Sequence, residues 1–193
     1  LDAQIAAVEL NNILRPTVAV SAYIVQCAHA LHEHREIREQ LRDGSPDDFQ
    51  CFVQEVRRYY PFFPFAGAKV KESFEWQGYR FPSGRKVLLD LYGTNHDPRL
   101  WDEPESFRPS RFRDWDGNPF TLIPQGGGDH YQNHRCPGEW IAIEQMKVAT
   151  EAFVNGCEYE VPAQNLRIDM DRLPAIPNDH FIIESVRVIN ESK

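Results

Sequence analysis

The stretch 123–138 reads Ile-Pro-Gln-Gly-Gly-Gly-Asp-His-Tyr-Gln-Asn-His-Arg-Cys-Pro-Gly, and it limits what the chain can become more than any other. Three consecutive glycines allow positive φ and let the backbone pass close to something flat. Cys136 follows His134 and Arg135 directly, and Pro137 stands where Pro is favoured at the first position of a helix. Residues 139–153 hold no breaker, and Asn155-Gly156 reads as a C-cap. Cys136 is therefore predicted at a helix N-terminus, where the macrodipole and free N–H groups favour a thiolate. A thiolate on a Gly-rich loop flanked by cations suits an axial ligand of heme iron. A reactive cysteine and an inert buried one remain the alternatives.

Composition narrows the surroundings. A chain of 193 residues is long enough for one domain with a real core, spanning 1–193. A formal charge of −8 argues against a nucleic-acid partner or an anionic membrane surface. Cys27, Cys51, Cys136 and Cys157 form no CxxC pair and no compact disulfide spacing, which predicts a reducing compartment and a cytoplasmic protein. No targeting segment is visible. The chain opens at Leu1 inside a helical pattern, so it reads as a fragment.

Residues 1–31 lack glycine and carry apolar side chains on every face, which predicts a buried helix. Asp2, Glu9 and Arg15 interrupt it too often for a clean membrane span. Between Glu9 and Glu33 the one formal charge is Arg15, and Pro16 follows it. Pro16 removes a hydrogen bond to the carbonyl of Asn12 and is predicted to kink the helix. A buried Arg requires an anionic partner, and none is close in sequence, so Arg15 is a candidate functional residue. A helix end with a snorkelling Arg15 is the bland alternative.

His29, His32 and His34 cluster with Glu33 at what reads as a solvated helix junction rather than a metal site. Ser45-Pro46-Asp47 starts the next helix, which runs to about Tyr60 and places Glu55 and Arg58 on one face. Residues 61–67 form an aromatic crossing segment. A small antiparallel sheet is predicted from 68–76, 79–81 and 86–91, with turns at Gln77-Gly78 and Pro82-Gly84. Residues 93–137 are irregular, and so long an irregular run marks a functional loop. Strands at 158–161 and 179–188 close a fold that is mainly α with a minor antiparallel β-sheet.

With these pieces assembled, the chain resembles the C-terminal portion of a cytochrome P450. Three signatures of that family stand in order: Glu55-x-x-Arg58, Pro109-Ser110-Arg111-Phe112, and the cysteine loop Gly126–Gly138. The resemblance implies a buried network of Glu55, Arg58 and Arg111 bracing the heme's proximal side. It implies heme b (iron protoporphyrin IX) as cofactor, with Cys136 as metal ligand and Gln125, Gly126, His134 and Arg135 around it. It also implies that the other part of the family fold closes the distal pocket.

The details resemble the fatty-acid peroxygenase branch. The stretch Asn11-Asn12-Ile13-Leu14-Arg15-Pro16-Thr17 has no acid beside the threonine, and Arg-Pro there is that branch's pattern. So is the lengthened loop before Cys136. The resemblance implies hydrogen-peroxide-driven hydroxylation of a long-chain fatty acid at the α or β carbon. Arg15 and Pro16 would be catalytic, and Arg15, Phe62 and Phe65 would bind substrate. The carboxylate held by Arg15 would assist O–O cleavage, and no dedicated redox partner is expected. Three other outcomes stay open: decarboxylation to a terminal alkene, a conventional reductase-dependent monooxygenase, and a non-catalytic heme-thiolate sensor or binding protein.

Overall fold

A computed structural model describes residues 2–189. Three helices build the core. Helix α1 (Ala3–Glu33) starts at Asp2, whose carboxylate accepts from Gln4 N–H. After the short α2 (Arg35–Arg42), helix α3 (Pro46–Tyr59) opens on a capping box between Ser45 and Asp48, with Pro46 in its first turn. Helix α5 (Glu139–Glu151) continues into one π-helical turn at Ala152–Gly156.

The core lies where the C-terminal half of α1 meets α3 and α5. Tyr23, Cys27 and Leu31 pack there with Phe52, Val53 and Val56 of α3 and with Met146 of α5. Each fully buried large side chain contributes roughly 1.5–3 kcal/mol. A satellite cluster of Cys51, Trp101, Phe112 and Leu122, with Trp115 against it, sits under the irregular segment.

The burial predicted for α1 holds for half of it only. Buried positions begin at Ala22, whereas Ile5, Ile13 and Val18 are 51%, 66% and 67% exposed. No described segment packs on that first half, so an apolar circumference there is not a buried one. The helix also runs through Pro16 without a break. Pro16 removes one hydrogen bond, but the Thr17 hydroxyl donates to the Ile13 carbonyl at 2.8 Å within the same turn.

Among the described residues the sheet is three separate two-stranded ribbons. Strand β1 (Phe65–Lys69) pairs antiparallel with β4 (Lys86–Asp90), in register Gly67 to Leu88. Strands β2 (Phe74–Trp76) and β3 (Tyr79–Phe81) form a hairpin of their own. The expected strand 68–76 is therefore broken between two ribbons. The hairpin turn has positive φ at both Gln77 and Gly78, which matches the twist of its flanking strands. Strands β5 (Cys157–Glu160) and β6 (Glu184–Val188) make the third ribbon. Between 91 and 138 the regular pieces are α4 (Leu91–Asn95) and a 3-10 turn at Pro109–Phe112.

The histidine junction differs from its sequence reading. His29 is 3% exposed, its ring tilted against Tyr60 and Phe181, with its Nε2 at 3.3 Å from Glu33. His34 lies flat on Phe107 at 4.5 Å. Helix α1 is buried against the core through Leu31, so His29 leaves solvent, while His32 and His34 stay half-buried and Glu33 exposed.

Candidate heme-thiolate site

The cysteine loop is held by its own backbone. Gly126 has φ +89° and bridges to Arg135, and a Cβ there would collide with the His134 carbonyl. At Gly127 a Cβ would come within 2.6 Å of Ile123 Cγ2. The Cys136 N–H donates to the Gln125 carbonyl at 3.0 Å, and the Cys136 carbonyl accepts from Glu139 N–H at 3.2 Å. Pro137 therefore lies in a turn ahead of α5 and not in its first helical position, which Glu139 occupies with Gly138 as N-cap. Cys136 precedes the helix by a tight turn, with its thiol free and half-buried.

The donor set discriminates between ligand types. Among the described residues, no group of three or more His, Cys, Asp or Glu side chains could hold a bare metal ion. A single soft sulfur on a glycine cradle suits a metal whose remaining ligands come from a flat macrocycle. The residues present fit heme.

The structure brings Glu55, Arg58 and Arg111 together, and the first two are fully buried. Arg58 Nε and Nη2 donate to the Glu55 carboxylate at 2.7 and 2.8 Å. The same guanidinium reaches the carbonyls of Asn95 at 3.0 Å and Pro104 at 2.9 Å. Arg111 Nε approaches Glu55 at 3.2 Å, and Arg108 N–H donates to Glu55 at 2.7 Å. Read without the family, Glu55 and Arg58 at i and i+3 pass for a surface pair; here they pin the irregular segment 95–111 to α3.

Other predicted residues are placed differently. Arg135 donates to Glu139 at 2.5 and 3.2 Å and to the Gly128 carbonyl at 3.3 Å, so its guanidinium is already engaged. His134 is exposed. Gln125 accepts from Arg57 Nε at 3.2 Å. Phe62 is buried against the Tyr23 ring at 4.2 Å, whereas Phe65 is 36% exposed on β1. Phe62 belongs to the core and Phe65 to the surface, because the bend at 62–64 separates the first from β1, which carries the second. Arg15 lies on the exposed half of α1, and among the described residues it makes no ion pair. The burial that made Arg15 notable in the sequence is absent here.

Sequence reasoning missed Arg57, Glu139 and His130. Arg57 is 1% exposed and Glu139 3%, and the two pair directly. His130 Nε2 lies 2.8 Å from the other Glu139 oxygen. Burial pushes the Glu139 carboxyl up, but hydrogen bonds from Arg135, Arg57 and His130 outweigh it and hold the group at about 2. The i,i+4 spacing of Arg135 and Glu139 was the one local signal; the Arg57 pairing spans too much sequence to be read.

Comparison with known proteins agrees with this geometry. A family model described as cytochrome P450 matches residues 48–182. A curated relative, cytochrome P450 71D180 of Thymus vulgaris, is 30% identical over 149 residues, covering 70% of this chain and 29% of its own length. Among solved structures, a variant of cytochrome P450SP alpha (CYP152B1) superposes with TM-score 0.90 at 53% identity, covering 98% of this chain and 46% of that one. Wild-type cytochrome P450EX alpha (CYP152N1) with myristic acid gives TM-score 0.87 at 46% identity, with the same coverage. This chain therefore spans less than half the length of these relatives. It belongs to the cytochrome P450 family, whose cofactor is heme b, and it is similar over nearly its whole length to solved members of the CYP152 group.

Proposed function

We propose that the protein containing this chain is a heme-thiolate peroxygenase that hydroxylates long-chain fatty acids at the α or β carbon. The observation that carries this reading is Arg15. It is a cation on an otherwise apolar stretch of α1, next to Pro16, at the place where an oxygenase of this family would keep an acid. The likeness to a solved relative holding myristic acid supports the substrate class.

In this reading Cys136 is the iron ligand, kept in place by the Gln125 carbonyl and the cradle at Gly126. When bound, the heme supplies an iron centre that activates peroxide for oxidation of a C–H bond. Arg15 binds the substrate carboxylate through charge-assisted hydrogen bonds from its guanidinium fork. The carboxylate so held is the acid–base group that carries the peroxide proton from one oxygen to the other. Fixing the acid end in this way leaves only the first carbons of the chain within reach of oxidation. Pro16 contributes by removing a backbone donor one residue after Arg15. Arg58 and Arg111 with Glu55 brace the segment that supports the loop, and His134 and Arg135 flank the ligand.

No helix of the described residues is long and apolar enough to cross a membrane. The reading needs no reductase, and that is where it is tested. Purified heme-loaded protein given hydrogen peroxide and a long-chain fatty acid, with no electron donor, should form 2- or 3-hydroxy acid. Product that requires a reductase and NAD(P)H would return the protein to the conventional monooxygenases. Terminal alkene as the main product would assign decarboxylation instead.

A further inference from the structure

Two adjacent arginines of α3 serve two different networks. Arg58 turns to Glu55 and the segment 95–111, while Arg57 turns to the cysteine loop. Arg57 donates to Gln54 on its own helix, to Gln125 Oε1 at 3.2 Å, and to Glu139. Glu139, the first residue of α5, accepts in addition from Arg135 at 2.5 and 3.2 Å and faces His130 Nε2 at 2.8 Å. The Gln125 carbonyl takes the Cys136 N–H. A closed ring results, from α3 through Gln125 to Cys136, on to Glu139, and back to α3. The Tyr23 hydroxyl of α1 is buried and, among the described residues, has no hydrogen-bond partner within bonding geometry.

The charges of this ring do not cancel. Two guanidinium groups face one carboxylate, which leaves a surplus positive charge in the ring that holds Cys136, whose sulfur is negative when it ligates iron. In a buried setting such a charge acts strongly, because little water screens it. We infer that Glu139 and Arg57 are positioning residues for Cys136: they fix the backbone on both sides of the cysteine and, with Arg135, set the potential at its sulfur. The inference rests on Cys136 being the iron ligand of the proposed function. Electron donation from the thiolate would then be tuned by Glu139 through the loop that holds Cys136.

The test is the iron reduction potential of heme-loaded variants, read beside the Soret band of the reduced carbon monoxide complex. Glu139→Gln keeps the shape and removes a negative charge, so the potential should rise. Arg57→Gln removes a positive charge and leaves Glu139 still paired to Arg135 and His130, so the potential should fall. Arg135→Gln should lower it as well. A structural role alone would reduce thermal stability in all three and leave the potentials unmoved or shifted in one common direction, and that result overturns the inference. If Glu139→Gln fails to hold heme, Arg57→Lys decides: it disturbs the fork geometry but keeps the charge, so its potential should stay at the wild-type value while Arg57→Gln and Arg135→Gln fall, and an equal fall in Arg57→Lys, or no fall in either Gln variant, overturns the inference. A wild-type complex without the red-shifted Soret band of thiolate ligation would refute the reading of Cys136 itself, and so is told apart from failure of the tuning.

Discussion

The two ends of the proposed chemistry are built in opposite ways. Around Cys136 the loop is held by a glycine-dictated backbone and a ring through Arg57 and Glu139, with a second buried network at Glu55. Around Arg15 there is an exposed helix with apolar neighbours and no ion pair among the described residues. One region is over-determined by contacts within the chain. The other is determined by helix propensity alone. Removing a group from the first should therefore damage the protein, and removing Arg15 should damage only what the protein does.

The largest effect is expected at Cys136. In heme-loaded protein, Cys136→Ser should abolish the red-shifted Soret band of the reduced carbon monoxide complex. A band that persists, with Cys27, Cys51 or Cys157 as the ligand, would break the comparison at its first term. Next comes Glu55→Ala, which leaves the fully buried Arg58 without its carboxylate. Losing one partner of a buried pair costs about 3–5 kcal/mol, so that variant should be poorly folded and short of heme. Wild-type heme content and melting temperature would show that the pair does not brace the fold.

A smaller effect separates the two halves of α1. At the C-terminal end, the His29 ring at 3.3 Å holds the Glu33 carboxyl down at about 2, against the opposing push of burial and with help from the Tyr60 hydroxyl. A carboxyl depressed in the fold adds stability above its ordinary value of 4.5, and that stability is lost as pH falls toward about 2. Glu33→Gln should therefore flatten the loss of melting temperature over this range while leaving neutral-pH behaviour of the Arg15 end untouched. An acid profile identical to wild type would remove the anchor assigned to the buried half.

What the sequence disclosed follows the same division. Ser45-Pro46 marked the start of α3 and Gln77-Gly78 the hairpin turn, because both depend on local backbone chemistry. The three P450 motifs located the cysteine loop and the Glu55 network through resemblance, which supplied the burial that i,i+3 spacing could not. Arg57 and Glu139 escaped notice because their pairing links α3 to α5 across distant sequence. His29 read as solvated because its polar neighbours gave no hint of Tyr60 and Phe181 folding over it. The exposed half of α1 was misjudged for the converse reason: an apolar sequence shows what a helix can bury, not whether this chain buries it. Pro137 looked like a helix start, yet the turn that presents Cys136 displaced the start to Glu139.

The central claim is that Arg15 holds the substrate carboxylate and that this carboxylate supplies the missing acid–base group. An exposed Arg to Ala change typically moves stability by no more than about 0.5 kcal/mol, so Arg15→Ala should fold and load heme as wild type does. Its turnover is another matter: a lost hydrogen bond to a charged group costs about 1.5–3 kcal/mol in binding, and misplaced proton transfer adds roughly 10²-fold or more in rate. The decisive measurement is peroxide-dependent product formation by wild type and Arg15→Ala with a fatty acid, with its methyl ester, and with the ester plus a short free carboxylic acid. Wild type should oxidise the acid, fail on the ester and recover activity on the ester when the short acid is present, while Arg15→Ala fails in all three. Equal turnover of acid and ester by wild type, or undiminished activity in Arg15→Ala, would contradict the account.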